Sequence, residues 1–309
     1  MAWLRALGSY VPARVVDNAE LAPLVGADPA WLLRATGIGE RRFAAADETV
    51  ASLGAAAAAD CLASAGMAAA DVGMLIVSSG SAERRFPGPA ATIARECGMA
   101  GKPAIDLPMA SAGGLFGIAL AAELTRVSGN VLVVASEIMS RVVRLNPAGR
   151  DTAILFGDGA GACLVSREGG FAEIADAELA TDGEFADALR LEFDAPLQMD
   201  GRAIILQASR KLPRAIGALL ERNGVLPTQV GTYLMHQANL NLMVRVAQAV
   251  GAPEERFFHN IARYGNTSSA SLLIAATEWW RGGDGTLREP LVLAAFGAGL
   301  NWGAVLARP

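Results

Sequence analysis

Residues 104–114 read Ala104-Ile105-Asp106-Leu107-Pro108-Met109-Ala110-Ser111-Ala112-Gly113-Gly114, a short strand, a turn and a hydroxyl where a helix opens. A side chain in the first turn of a helix lies among free backbone N–H groups at the positive end of the helix dipole. That placement favours a nearby anion and lowers a thiol's pKa. It helps a serine much less, because the hydroxyl keeps its proton until a base removes it. Ser111 is thus either an ordinary helix N-cap or a nucleophile that needs a base from elsewhere in the chain.

Of the two histidines, His236 is the candidate base. It follows Tyr233-Leu234-Met235, which reads as a strand, and stands at the strand's C-terminal end, where α/β active sites gather. Asn266, in the polar turn before a helical stretch beginning near Thr267, is placed to hydrogen-bond a substrate carbonyl or to hold the imidazole. Gly297-Ala298-Gly299 offers backbone N–H groups for an oxyanion in a segment with almost no side-chain bulk. Each feature alone has an ordinary explanation: a cap, a strand-end histidine, an Asn in a turn. Their joint occurrence, in order along the chain, points to chemistry.

Around these positions strand and helix alternate. Apolar runs at 72–77, 131–134, 161–165, 233–235 and 291–294 read as buried strands. Ala-rich stretches at roughly 50–66, 111–128, 207–223, 239–250 and 267–281 read as helices. Such alternation predicts an α/β fold with helices on both sides of a sheet. The layout of the first part recurs loosely in the second, so two similar halves are expected, residues 1–170 and 171–309. Residues 171–200, acidic and irregular around Asp182-Gly183-Glu184, read as a surface excursion.

Composition narrows the function classes. The chain has 309 residues, 52% hydrophobic and 18% charged, with 34 glycines, as a densely packed α/β protein requires. A net charge of −5 argues against nucleic acid as a partner. No apolar run approaches the roughly 18 residues of a membrane helix, and the N-terminus carries no secretory pattern, so a cytoplasmic protein is expected. Cys61, Cys97 and Cys163 match neither a disulfide framework nor a zinc site, and two histidines make a metal centre improbable.

Met235-His236-Gln237-Ala238-Asn239, Tyr264-Gly265-Asn266-Thr267-Ser268, Ile154-Leu155-Phe156-Gly157-Asp158-Gly159-Ala160-Gly161 and Ala295-Phe296-Gly297-Ala298-Gly299 together resemble the thiolase-fold condensing enzymes of the ketoacyl-ACP synthase III type. The resemblance covers nearly the whole chain. It implies a thiolase-like fold of two similar halves, each with a mixed sheet covered by helices in αβαβα layering. It implies acyl transfer from acyl-CoA or acyl-carrier protein to an acceptor such as malonyl-ACP, with no metal and no cofactor beyond the coenzyme A thioester as substrate. The family triad maps onto Ser111, His236 and Asn266, the oxyanion donors onto the amides of Ser111 and Ala298, and substrate contacts onto Trp31, Arg150, Phe86, Asn239 and Met199. Trp31 and Arg150 would flank the adenine, Phe86 would reach the acyl pocket of the other subunit in a homodimer, and Leu115 would bear on acyl size.

Departures from the pattern shape the expectation. Serine stands at 111 where the family has cysteine, and an oxygen ester is a poorer acyl donor than a thioester. Ala35, Leu206 and Asn241 stand where basic residues are usual, and Ala298 replaces a glycine. Arg202, Arg210 and Lys211 would compensate if they face the same mouth. Two other readings accompany acyl transfer: a catalytically silent partner of an active homologue, and an engineered Cys-to-Ser variant. Retention of His236 and Asn266 argues against the silent partner.

Overall fold

The computed structural model describes residues 1–309. Ten strands form one mixed sheet: β1 (Trp3–Tyr10), β2 (Met74–Ser78), β3 (Ala104–Leu107), β4 (Val131–Ile138), β5 (Asp158–Ser166), β6 (Ala172–Thr181), β7 (Thr232–Met235), β8 (Phe257–Phe258), β9 (Leu291–Gly297) and β10 (Asn301–Arg308). Their order is β8-β7-β9-β10-β6-β1-β5-β4-β2-β3. Read outward from the middle, 1-5-4-2-3 on one side is repeated as 6-10-9-7-8 on the other. Parallel pairing joins β2 to β3 and β4, and β7 to β8 and β9, while the inner strands pair antiparallel. The two five-strand sets, one mixed sheet for each half as expected, meet edge to edge through Trp3↔Glu173 and Leu4↔Ala172.

Six helices cover it: α1 (Val50–Ala65), α2 (Pro89–Glu96), α3 (Gly113–Ser128), α4 (Gly201–Arg222), α5 (Leu240–Val250) and α6 (Ser271–Gly282). α1 packs on β1, β4 and β5, and α4 packs on β6, β9 and β10 with α5 beside it. α3 and α6 lie between, each touching strands of both sets, which gives the five alternating layers. Leu115 and Ile118 of α3 and Leu273 of α6 share one core with Val133, Leu293 and Val305. Burying each such side chain stabilises the fold by about 1.5–3 kcal/mol. β4 and β5 are buried along their whole length, which explains their unbroken apolar runs.

Residues 171–200 are not a surface excursion. They begin with β6, a ten-residue strand in the middle of the sheet. Its apolar residues do not alternate cleanly because the pairing register with β10 shifts between Leu306 and Ala307, a bulge that puts Ile174 and Ala177 on the core side at a spacing of three. β1 and β10 also escape the apolar-run reading, since Arg5 and Gly8 interrupt one, and Asn301 and Gly303 the other. Helix α4 starts at Gly201, six residues before the stretch expected from composition, capped by the Asp200 side chain on the Ala203 N–H.

Candidate active site

Ser111 is not in the first turn of a helix. β3 ends at Leu107, α3 starts at Gly113, and the N-cap residue is Ala112, which makes no side-chain cap. Ser111 has φ +60, and the Ala112 N–H donates to the Ala110 carbonyl at 2.6 Å, closing a γ-turn that tips the serine out of the helix path. A left-handed φ in a non-glycine residue costs on the order of 1–3 kcal/mol and persists only where its surroundings enforce it. Two glycines do so. A Cβ on Gly113 would lie 1.8 Å from Ser78 Oγ, and one on Gly297 would lie 2.3 Å from the Ala110 carbonyl oxygen and 2.9 Å from Ser111 Cβ. The loop after β9 thus presses directly on the turn that carries Ser111.

His236 follows β7 and is buried, with Nδ1 2.5 Å from Ser271 Oγ. Ser271 Oγ also accepts the Gln237 N–H at 3.0 Å, so the first residue of α6 fixes the ring plane and leaves Nε2 for the cavity. Burial pushes the His236 pKa down to about 4, and a hydrogen bond with the Ser268 backbone opposes the shift. The imidazole is therefore neutral near pH 7, able to accept a proton or to donate one hydrogen bond. Asn266 does not hold the imidazole. Its Oδ1 accepts the Ser268 N–H at 2.8 Å, which orients the amide, and Nδ2 makes only a long 3.4 Å bond to the Ala238 carbonyl. An N–H of Asn266 is left to face the cavity.

The Phe156-Gly157 segment splints Asn266 from behind. Asn266 N–H donates to Leu155 at 2.9 Å and the Gly157 N–H donates to the Asn266 carbonyl at 3.1 Å. Beneath it lies Arg41, fully buried and bonded to Asn18 Oδ1 at 2.8 Å and the Ile154 carbonyl at 3.2 Å. Burial lowers its pKa to about 10. Asp158 opens β5 as a structural tie, accepting from Ala44 N–H at 2.7 Å and from the Ser140 amide and hydroxyl.

Ser111 stands between two cavities. The outer one, about 80 Å³, is lined by Ser111, His236 and Asn266 together with Met199, Ile205 and Asn239. The inner one, about 40 Å³, is lined by Ser111, Met139, Phe156, Leu189, Ser268 and Ala298. Ala298 therefore shares a cavity wall with Ser111. The Ser111 amide is not free for an oxyanion, because it donates to Ser268 Oγ at 3.1 Å.

The remaining expected residues divide. Arg150 lies over the Trp31 ring, 5.7 Å from its centre, both at the surface. Met199 lines the outer cavity. Asn239 lines it too, but its side chain is spent on capping α5 and on the Ala35 carbonyl, at 3.1 Å. Phe86 is 85% exposed and lies in a separate groove of about 840 Å³ with Arg84, Arg85 and Phe193, away from the Ser111 of its own chain. Leu115 is fully buried between the layers and lines neither cavity at Ser111, because α3 turns it toward β4. Lys211 cannot supply a basic rim: it is paired with Asp182 and lies over the Phe185 and Trp302 rings.

Ser268, Ser271 and Glu137 were not singled out in the sequence. The signal for Glu137 was a lone acid inside the apolar run of β4. It is fully buried, and its carboxylate accepts from the Gly80 and Ser81 amides and from the Ser79, Ser81 and Ser269 hydroxyls. It ties one wall of the inner cavity to the segment that carries Asn266 and Ser268. A buried serine, a neutral imidazole and a directed carboxamide lining one cavity are suited to acyl transfer.

The chain is similar to known proteins over nearly its whole length. Residues 105–183 match the family described as 3-oxoacyl-[acyl-carrier-protein (ACP)] synthase III, and residues 220–308 match its C-terminal region. The chain is 34% identical over 329 residues to the beta-ketoacyl-[acyl-carrier-protein] synthase III of Oleidesulfovibrio alaskensis, covering 99% of this chain and 98% of that one. The crystal structure of 3-oxoacyl-[acyl-carrier-protein] synthase III from Aquifex aeolicus is similar with a TM-score of 0.95 at 31% identity, covering 100% of both chains. The priming beta-ketosynthase of the R1128 polyketide pathway is similar with a TM-score of 0.93 at 30% identity, covering 100% of this chain and 96% of that one.

Proposed function

Because the chain belongs to the 3-oxoacyl-[acyl-carrier-protein] synthase III family of acyl-transferring condensing enzymes, we propose that Ser111 is its acyl carrier. The observation that carries this reading is that Ser111, His236 and Asn266 line one cavity, with a second recess on the other side of the serine. The acyl group comes from acyl-CoA or acyl-carrier protein. Ser111 Oγ forms the new C–O bond as its proton passes to His236 Nε2, the C–S bond breaks, and the departing thiolate takes that proton. In the second half-reaction a malonyl thioester loses CO₂, and its carbonyl oxygen receives hydrogen bonds from Asn266 Nδ2 and, with the single proton of the neutral ring moved from Nδ1 to Nε2 by exchange with solvent, from His236 as the enolate develops. The enolate carbon bonds to the acyl carbon, the C–O bond to Ser111 breaks, and the departing serine oxygen takes up a proton from solvent as the 3-oxoacyl product forms.

A recess of about 40 Å³ behind Ser111 supports a short acyl group. The Trp31–Arg150 pair supports an adenine site at the mouth, and the exposed Phe86 supports a homodimer in which it closes the partner's acyl pocket. No helix is long and apolar enough to cross a membrane, and the reading has the enzyme working in the cytoplasm, in fatty acid or polyketide synthesis. The repeated strand order supports two units, 1–170 and 171–309.

Intact mass after incubation with a panel of short acyl-CoAs tests the carrier. The expected result is an acyl adduct on the parent that is absent from Ser111→Ala. Ser111→Cys should accumulate acyl-enzyme faster than the parent, since the thiolate is the better nucleophile. No adduct on the parent with any donor, together with no thioester consumption, would overturn the reading.

A further inference from the structure

Trp31 lies in a helix, Pro29–Thr36, that ends on Gly37 with φ +77. The last four carbonyls of a helix have no partner within it. Here the Leu33 carbonyl receives the Gly37 N–H at 2.8 Å, and the next two carbonyls are served from a distant segment of the chain. Asn241 Nδ2 donates to the Arg34 carbonyl at 3.3 Å and to the Ala35 carbonyl at 3.1 Å, and Asn239 Nδ2 donates to Ala35 at 3.1 Å. A carboxamide has two N–H donors, so Asn241 serves both carbonyls at once. Asn239 Oδ1 meanwhile accepts the Asn241 N–H at 2.9 Å and caps α5. The C-terminal end of one helix is thus joined to the N-terminal end of the other. A Cβ on Gly37 would lie 2.4 Å from Leu240 Cβ, so no side chain separates them.

The same segment carries the candidate base. His236 stands three residues before Asn239 and five before Asn241. His236, Ala238, Asn239 and Leu242 all line the outer cavity. Residues 236–242 therefore hold the imidazole at one end and the Trp31 helix at the other. Asn241 is one of the positions where the sequence leaves a gap in the expected basic rim, and its amide is turned to the carbonyls of that helix.

We propose that Asn241 is a positioning residue for the acyl donor: it holds the Trp31 helix in a fixed place relative to His236, so that the nucleotide end and the thioester end of coenzyme A meet one rigid unit. The inference rests on the reading above of the Trp31–Arg150 pair as the adenine site. A donor gripped at both ends binds more tightly when the spacing is preset, because no helix has to be ordered as it binds. The nucleotide end takes no part in bond making, so this grip is the same in the bound donor and in the transition state. It therefore lowers KM and leaves the saturating rate unchanged.

The test uses the short acyl-CoA that acylates the parent best and the matching acyl-pantetheine, which lacks the nucleotide. Asn241→Leu keeps roughly the size of the side chain and removes both donors, and Asn241→Ala removes them without adding apolar surface. Both variants should raise KM for the acyl-CoA on the order of tenfold, the worth of about one or two hydrogen bonds. The saturating rate should hold, and the constants for acyl-pantetheine should match the parent's. In a Trp31→Ala background the same substitutions should add nothing, since the two residues act through one contact. An unchanged KM for the acyl-CoA, an equal rise for both donors, or a further rise in the Trp31→Ala background would overturn the proposal. A parent with the same KM for both donors removes the adenine reading and this inference together. A parent that favours the acyl-CoA, with variants that keep the full preference, removes the inference alone.

Discussion

The turns ahead of α3 and α6 hold matching positions in the two five-strand sets, and each is built on a left-handed serine, yet they are supported by opposite means. The Ser111 turn is shaped by missing atoms: Gly113 and Gly297 leave room where a Cβ would collide with Ser78 and Ala110. The Ser268 turn is shaped by polar contacts, with its amide on Asn266 Oδ1 and its neighbour Ser269 bonded to the buried Glu137. The consequence lies in what each serine can reach. Ser111 lines both cavities, whereas Ser268 lines the inner one alone. One turn geometry therefore serves twice, once to place a serine at the junction of the two cavities and once to place a serine in the wall of one alone.

If steric relief is what holds the Ser111 turn, Gly297→Ala should disrupt it most. The added methyl has backbone atoms on two sides, so a displacement of Ser111 approaching 1 Å is expected, with acylation lower by roughly 10²-fold and stability lower by about 1–3 kcal/mol. Acylation kinetics beside urea unfolding would check both. Parent-like acylation would show that the turn does not depend on Gly297.

The histidine that depends on α6 offers a second probe, through pH. His236 has its folded pKa at about 4, below the usual 6.5, so the unfolded chain binds the proton more readily between those values. Stability is then undiminished above pH 6.5, falls as pH drops toward 4, and levels off below, a span of about 3 kcal/mol. His236→Gln removes this component, so the difference between parent and variant in urea midpoints, measured from pH 3.5 to 7.5, should show that slope. A flat difference would mean that the imidazole is solvated.

The smallest effect is expected from weakening the polar support of the Ser268 turn. Glu137→Gln keeps the shape but replaces one acceptor oxygen by a donor facing hydroxyls and amides, and it should cost about 1–2 kcal/mol. Thermal unfolding would register it. Acylation of Ser111 should change less than with Gly297→Ala, and a larger loss than that would mean that the two turns are not separately supported.

The motifs around His236, Asn266, Phe156-Gly157-Asp158 and Gly297 were legible because each combines a turn requirement with a chemical group, and such combinations survive in short stretches of sequence. Strands β4 and β5 were legible because a strand buried on both faces reads as continuous hydrophobicity. Strand β6 was not, since a bulge breaks its alternation and its Ala and acidic residues have low strand propensity. Ser111 was placed correctly along the chain and wrongly in conformation: as a residue opening a helix it resembles a cap, and only the collision a Cβ would suffer at Gly297, 186 residues away, reveals the left-handed turn. Ser271 and Ser268 carried no legible role, because a serine near a helix start has an adequate local explanation in every case.

The sequence by itself determined the alternating α/β build, the family resemblance and the identities of the serine, histidine and asparagine, since these follow from periodicity and from local motifs. Tertiary structure decided the rest. It handed the Ser111 amide to Ser268, fixed the His236 ring with Ser271, moved Leu115 into the core and took Lys211 away from the mouth. The physical reason is the same in each case: a hydrogen bond or a packed contact joins residues far apart in the chain, and which partner wins is set by three-dimensional distance.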